Sequence, residues 1–525
     1  MDTKALRQKI LDLVIRGKLV PQDPNDEPAE VLLERIRVQK QQMLKEGKLK
    51  KKDIKNDTII FKGEDNLHYE KFQDGTVKCI EDEIPFEVPE GWMWARLNDI
   101  YNFIDYRGAT PTKITNGIPL VTAKNVKSGY IDYTIDDYIS EEEFKERQQR
   151  GISKKGDILF TTEAPLGNAA LADMEKFSAG QRLITFQQYG SKNELINYVM
   201  LMFILSDFFQ QQLYVNKTGS TVAGIKAAIL KTLWIPVPPY NEQLRISNTL
   251  KSAINLIDSI SQNKEILSTS ISNTKYKILD LAIRGKLVLQ DPNDEPASVL
   301  LERIRAEKEE LIKHGKIKRD KKESVIFKGD DNSYYLRTGG VEESLENWRF
   351  DDLPETWEIC CLGELCDYGD CINVNTEDIA EDAWILDLED IEKDTGMVLK
   401  KVTKAQRNSV STKHKFHFGQ VLYSKLRPYL NKVVLSDADG YCTSEILPLE
   451  FKNCVLPEYA RYYLMSSTFI TYANHCSYGV KMPRLGTTDG KKAIFSLPPL
   501  SEQKRIVETI DFCFMQLNKI SEALA

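Results

Sequence analysis

The chain has 525 residues, 42% of them hydrophobic and 28% charged, which fits two to four globular domains and excludes a small stapled scaffold, a collagen-like repeat and extended disorder. Seventy-one Lys and Arg against 78 Asp and Glu leave a formal net charge of -7, so the chain is no polycationic nucleic-acid coat and any such affinity must be local. The start, MDTKALRQKI, has neither the apolar core nor the cleavage site of a secretory signal. Leu195 to Phe209, the most apolar run, is broken by Asn197 and Asp207 and is too short to span a bilayer. A cytoplasmic chain with no membrane segment is expected. Nine cysteines, only Cys79 in the first half, show no C-x-x-C pairing, so reduced, packed thiols are expected.

From the N-terminus, Leu6, Ile10 and Leu13 are spaced as a helical seam, and a long repeat begins inside it. Residues 10–37 (ILDLVIRGKLVPQDPNDEPAEVLLERIR) recur 268 positions later at 278–305, with differences only at Val14, Pro21 and Glu30. A repeat of this kind sets the architecture. Within it, Asp26 or Glu27 before Pro28 starts a second amphipathic helix that Gly47 stops, and Asp294, Glu295, Pro296 and Gly315 do the same in the second copy. Each copy runs into a basic stretch, Lys48, Lys50, Lys51, Lys52 and Lys55, or Lys316, Lys318, Arg319, Lys321 and Lys322, read as a solvated helix end and loop rather than a phosphate site. The match continues through IIFKGEDN (59–66) and VIFKGDDN (325–332).

Two variable domains follow these repeats, at 85–240 and 345–500. Runs such as GIPLVTAKNV, GDILFTT, RLITF, GQVLYSK and EILPLEF read as strands, and Leu195–Leu213 and Glu458–Tyr472 as helices. Gly156, Leu159, Pro165 and Asn168 align with Gly419, Leu422, Pro428 and Asn431 at an offset of 263, and Trp92 and Leu97 align with Trp357 and Leu362. The exits, IPVPPYNEQLRI (235–246) and FSLPPLSEQKRI (495–506), match at an offset of 260. One frame thus carries two different surfaces.

From Ile246, steps of four and three through Leu250, Ala253, Ile257, Ile260, Lys264, Leu267, Ile271, Thr274, Ile278 and Leu281 form a coiled-coil seam that Gly285 caps. The spacing returns at Ile506, Ile510, Cys513, Leu517, Ile520 and Leu524. The expected fold is α/β: two pseudo-symmetric mixed α/β domains separated by long antiparallel coiled-coil helices. Its segments are an N-terminal helical repeat at 1–65, the first variable domain at 85–240, a central helix and repeat at 241–335, the second variable domain at 345–500 and a C-terminal helix at 501–525. Subtracting 260 from 525 gives 265 and adding 268 to 1 gives 269, so the two terminal helices are expected nearly end to end, antiparallel to the central one. A crosslink between cysteines placed at both termini tests this.

Catalytic motifs are weak. Val237-Pro238-Pro239-Tyr240 resembles the N/D-P-P-Y of amino-methyltransferases, but Val237 cannot accept from an amino group and Leu497-Pro498-Pro499-Leu500 lacks both features. The diproline reads as a helix start. No glycine-rich cofactor loop precedes a helix, and Gly486 to Lys491 is one residue short of a phosphate loop. His414 and His417 alone do not make a metal site, Cys360, Cys361, Cys366 and Cys371 fit neither zinc nor nucleophile spacing, and there is no G-x-S-x-G elbow. The variable domains carry recognition chemistry instead. In the first, Arg107, Lys113, Lys124, Asn125 and Lys127 lie in polar loops, and Thr218, Gly219, Ser220 and Thr221 lie near Lys226. In the second, Lys425, Arg427 and Tyr429 flank Pro428, and Tyr478 to Lys481 precede Arg484. Arg and Lys donate to guanine, Asn pairs with adenine, and Lys neutralises phosphate.

The repeated KLVxQDPNDEPAxVLLERIR and FKGxDN segments, the P-E-x-W entry to each variable domain and the P-P-x-x-E-Q exits at 238–243 and 498–503 resemble the specificity subunit of type I restriction-modification enzymes, along essentially the whole chain. The resemblance implies that each variable domain is a target-recognition domain reading half of a bipartite double-stranded DNA target. It implies helices that set the spacer and dock two methyltransferase (modification) subunits. S-adenosylmethionine, ATP and Mg2+ are then expected in partners, the methyltransferases and two ATP-dependent restriction (translocase and nuclease) subunits, with no cofactor in this chain. The rival readings are a self-sufficient adenine methyltransferase with a degenerate motif and a coiled-coil protein-binding scaffold.

Overall fold

The computed structural model describes residues 2–106, 110–189, 194–219, 223–316, 324–331, 333–345, 353–407 and 410–524. Arg107, Ser220, Thr221, Lys318, Arg319, Lys321, Lys322 and Asn332, named above, lie outside the described residues. The chain forms two compact units, Met1–Asn263 and Lys264–Ala525.

In the first unit the helix Thr3–Ile15 starts on Asp2, whose carboxylate accepts from Lys4 N at 2.9 Å and Ala5 N at 3.1 Å. It runs antiparallel to the first part of the long helix Tyr240–Ile283, with Arg7 ion-paired to Asp258 and Thr3 Oγ1 3.3 Å from Ser261 Oγ. The helix Ala29–Lys45 precedes a three-stranded antiparallel sheet of Thr58–Lys62, His68–Phe72 and Val77–Cys79. The variable middle builds a four-stranded antiparallel sheet in the order Tyr101–Asp105, Leu183–Gln188, Ile158–Thr162, Leu166–Leu171. Phe160 and Phe186 on it, and Phe203 and Phe209 on the helices Asn197–Ile204 and Asp207–Val215, fill one buried core.

The second unit repeats this order around different sheets. Its helix Leu500–Leu524 runs antiparallel to the rest of the long helix, and Lys275 Nζ donates to Asn518 Oδ1 at 2.6 Å. The helix Ala297–Lys313 leads to the sheet Ser324–Lys328, Tyr334–Thr338, Val341–Ser344. Its middle holds a five-stranded sheet, ordered Ile372–Val374, Lys413–Phe416, Gly440–Thr443, Trp384–Leu386, Val402–Thr403, and a three-stranded one, Val433–Leu435, Val421–Ser424, Ile446–Leu449.

The mixed α/β domains and the long helix agree with the sequence, and two details differ. The runs 195–213 and 458–472 each form two helices, because Ser206 and Ser466 interrupt them. Each serine side chain accepts from the N–H three residues on, Phe209 or Phe469, and starts a new helix, Asp207–Val215 or Ser467–His475. The seam also drifts: Ile254 replaces Ala253, and Ala282 and Ile283 replace Leu281, as the most buried positions. The buried positions follow the 3.6-residue period of an α-helix packed against each unit's core rather than the 3.5-residue period of a coiled-coil seam.

A clasp, present once per unit, accounts for the repeated motifs. The entry strand Met93–Arg96 pairs antiparallel with the exit strand Trp234–Val237, and Glu358–Cys361 pairs likewise with Ile494–Leu497. Trp92 Nε1 donates to Glu242 Oε2 at 2.8 Å and Gln22 Nε2 donates to Glu242 Oε1 at 3.0 Å. In the second unit Trp357 and Gln290 donate to Glu502 at 2.9 and 2.6 Å. Gln243 accepts from Ile196 N and donates to Pro238 O, as Gln503 does with Leu456 N and Pro498 O. Arg245–Asp26 and Arg505–Asp294 ion pairs tie in the QDPNDEP loops. Gly17 and Gly285 turn the chain at φ +63° and +65°, and a Cβ there would lie 2.3 Å from Pro89 Cγ or 2.4 Å from Pro354 Cγ.

Candidate nucleic-acid interface

In each variable domain the aligned proline sits in a loop between two antiparallel strands, preceded by a residue in the left-handed region: Ala164 at φ +46° and Arg427 at φ +50°. Non-glycine residues held there are uncommon and concentrate at functional sites. Two more segments meet this loop through backbone hydrogen bonds at matching positions. In the first unit Thr162 N donates to Arg182 O (2.9 Å), Ile225 N to Thr162 O (3.0 Å), and Thr218 and Gly224 exchange bonds of 2.8 and 3.0 Å. In the second, Lys425 N donates to Glu445 O (3.0 Å), Leu485 N to Lys425 O (3.0 Å), and Tyr478 and Arg484 exchange bonds of 3.1 and 2.9 Å. Three loops therefore converge on one backbone frame in both units.

The side chains on that frame differ. In the second unit Lys425, Arg427, Tyr429, Lys481 and Arg484 are brought together. Arg427 N donates to Pro483 O at 2.7 Å, which locks the Arg427–Tyr429 turn to the Lys481–Arg484 segment. Arg427 and Lys481 are exposed, Tyr429 is 48% exposed, and Tyr478, Val480 and Met482 add exposed apolar surface beside them. Arg484 is held by Glu445 through Nε and Nη2 at 2.9–3.1 Å, which raises its pKa. In the first unit Thr218 and Lys226 are exposed at the matching place. Arg182, at φ +64° and with Nε 3.0 Å from Glu163 Oε1, joins them. Arg182 opens the run RLITF, which reads as a strand, so the sequence gives it no recognition signal, and only its equivalence to Glu445, 263 residues on, marks it.

Lys113, Lys124, Asn125 and Lys127 lie on a separate excursion of the first unit. Lys113 pairs with Asp137 at 2.6 Å, Lys127 donates to Lys124 O at 2.7 Å, and Lys124 is exposed. Asn125 is buried, and its amide is fully engaged within its own loop. Its oxygen accepts from Thr122 N and Oγ1 (2.9 and 2.8 Å), and its nitrogen donates to Asp132 O and Ile135 O (3.0 and 2.8 Å). It shapes the loop rather than presenting an amide to a base. The loop rests on the frame, since Asn168 Nδ2 donates to Val126 O at 3.0 Å.

The remaining motifs are structural. Pro238 accepts from Gln243, and the long helix starts at Tyr240. Gly486 to Lys491 contains most of the helix Thr487–Lys492, where a Cβ on Gly490 would lie 2.1 Å from Tyr368. His414 is buried with Nδ1 2.8 Å from Ile446 O, and burial lowers its pKa, while His417 is exposed near Asp439. Burial pushes the thiols of Cys360 and Cys366 up. Among the described residues no group of three or more His, Cys, Asp or Glu is placed to hold a metal, and no helix is long and apolar enough to cross a membrane.

The model of the family described as Type I restriction modification DNA specificity domain matches two stretches, residues 89–268 and 354–523, and the chain belongs to this family. The specificity subunit of the type I restriction enzyme EcoAI of Escherichia coli is 28% identical, with 98% of this chain and 90% of that protein covered. That of EcoEI, also of Escherichia coli, is 30% identical, over 69% of this chain and 61% of the relative. A solved structure described as the structural basis of complex assembly and conformational transition of the type I R-M system superposes with a TM-score of 0.52 at 16% identity, covering 84% of this chain and 94% of that one; this likeness shows the fold. The helices Ala29–Lys45 and Ala297–Lys313 and the sheets after them lie outside both family matches.

Proposed function

We propose that this chain is the non-catalytic DNA sequence-specificity subunit of a type I restriction-modification complex. Each unit's three-loop surface takes part in reading one half of a bipartite double-stranded target, through Lys425, Arg427, Tyr429, Lys481 and Arg484 in one and Thr218 and Lys226 in the other, where Lys113, Lys124 and Lys127 of the separate excursion, and Arg107, add contacts to the same half. One observation carries this reading: the backbone bonds joining the three loops are the same in both units, while the side chains displayed on them are not. A frame repeated without its surface suits two different targets presented alike.

The helical repeats, alike in both units, dock two methyltransferase subunits, and the long helix sets the spacer between half-sites. S-adenosylmethionine, ATP and Mg2+ act in the methyltransferase and in two restriction subunits, and the assembly works in the cytoplasm. Partner contacts with the DNA backbone also account for the chain's acidic balance.

The test is methylation-site sequencing of DNA exposed to this chain co-expressed with its methyltransferase partner, against either protein alone. A bipartite, fixed-spacer motif modified only by the pair is expected. Modification by this chain alone means it is itself a methyltransferase, and no modification in any combination returns the scaffold reading.

A further inference from the structure

We infer that Arg182 and Arg484 are specificity-determining residues, each reading a guanine in the half-site of its own unit, with Glu163 and Glu445 as their positioning residues. The inference rests on the reading of the three-loop surfaces as DNA-binding.

Position 182 corresponds to position 445 in the frame, and 224 to 484, since the backbone bonds from Arg182 and Glu445 and from Gly224 and Arg484 are the same. The corner thus carries an arginine in one unit and a glutamate in the other. Both corners nevertheless hold a Glu–Arg pair, made with a different neighbouring loop. Arg182 pairs with Glu163 of the proline loop, and Glu445 pairs with Arg484 of the third loop. The pair persists while its polarity and its partner loop change, so the feature kept is an arginine held in place at the convergence.

The chemistry favours a base edge over a phosphate. A carboxylate against the guanidinium opposes a second anion, whereas it fixes the orientation of the fork and lowers the entropy lost on bidentate pairing. Arg484 gives Nε and one side of Nη2 to Glu445, and Nη1 is 3.3 Å from Met482 O. N–H groups on Nη1 and Nη2 remain for guanine N7 and O6, the commonest specific arginine contact. Arg182 Nε lies 3.0 Å from Glu163 Oε1 as an ion pair, and among the described residues neither terminal nitrogen is hydrogen-bonded. The side chains of Arg182 and Arg484 are 55% and 32% exposed, so each head reaches the surface.

The experiment uses the full chain with its methyltransferase partner on genomic DNA and sequences the methylated sites for the wild type, R182A, R182K, R484A, R484K, E163Q and E445Q. The wild-type motif is expected to contain a G·C pair in each half-site. R182A lowers preference at that position in one half about ten- to hundredfold and R484A does so in the other, with the opposite half unchanged. The lysine variants keep the charge and lose the fork, so they recover affinity but not preference. E163Q and E445Q weaken preference and leave guanine still favoured. A half-site with no G·C pair, equal loss on all sequences, unchanged preference, or full rescue by lysine overturns the inference for that unit. A wild-type complex with no bipartite motif defeats the proposed function itself, which is a separate result.

Discussion

Replacing Trp92 with Phe keeps most of the ring and removes one N–H, so the Glu242 carboxylate loses its 2.8 Å donor at a site where Glu242 is 1% exposed. A hydrogen bond to a charged group contributes about 1.5–3 kcal/mol. Burial already holds Glu242 above the ordinary carboxylate range, and Gln22 and Trp92 are the donors that pull it back down. W92F therefore raises it further. A carboxyl raised more in the folded variant than in the folded wild type gives a deficit that is complete above the variant's folded pKa and shrinks as pH falls through it. Hydrogen exchange is the assay. Amides of Ala29–Lys45 and of the first turns of the long helix are expected to exchange about ten- to hundredfold faster at neutral pH, less so in acid, with Ala297–Lys313 unchanged. W357F should do the mirror image through Glu502. A loss independent of pH would mean that ring packing alone was removed, and an equal effect in both units would mean the clasp is not local; either refutes the reasoning.

Gly17→Ala and Gly285→Ala each combine a left-handed backbone with a Cβ driven into a proline ring, so a loss of about 2–4 kcal/mol is expected in urea unfolding. Gly47→Ala, at φ +71° with nothing within 4 Å, should lose only about 1–2 kcal/mol. Asp99 accepts from Thr58 N and Arg96 N and is pushed up to about 6, chiefly by burial against the pull of Lys40. The folded state then binds this proton more tightly than the unfolded state, and its contribution falls as pH rises from about 4 to 6, by roughly 1–3 kcal/mol. The difference between wild type and D99N across that window isolates it, and a flat difference would contradict it. Arg427→Ala is expected to relax base preference in one half-site only, read from the methylated motif; equal loss across unrelated sequences would mark a phosphate contact.

The repeat, the long helix and its cap were legible because they rest on spacing: Gly285 N donates to Ala282 O and Lys286 N to Leu281 O, where a left-handed glycine was expected. Ser206 and Ser466 were not, since a serine inside an apolar run looks like a tolerated polar residue until its side chain is seen accepting from the N–H three residues on. In the second unit the basic and aromatic residues of 425–429 and 481–484 were visible as two clusters, and their meeting at Arg427 and Pro483 is a tertiary fact. Asn125 shows the opposite limit: its residue type suits adenine, but four hydrogen bonds commit it to its own loop. Arg182 carries no local signal, and only the superposed frame gives it a role.

Because the entry and exit strands of each variable domain are neighbours in one two-stranded ladder, each domain joins its helices through a single doorway. The residues that latch this doorway, Trp92 with Glu242 and Trp357 with Glu502, lie at the margins of the sequence that differs. A domain arriving with the same latch would need no adjustment of the helices. The stretches at 10–37 and 278–305, outside both variable domains, are nearly identical. A variable domain can therefore be exchanged between its two latched flanks while the helices outside them keep their sequence.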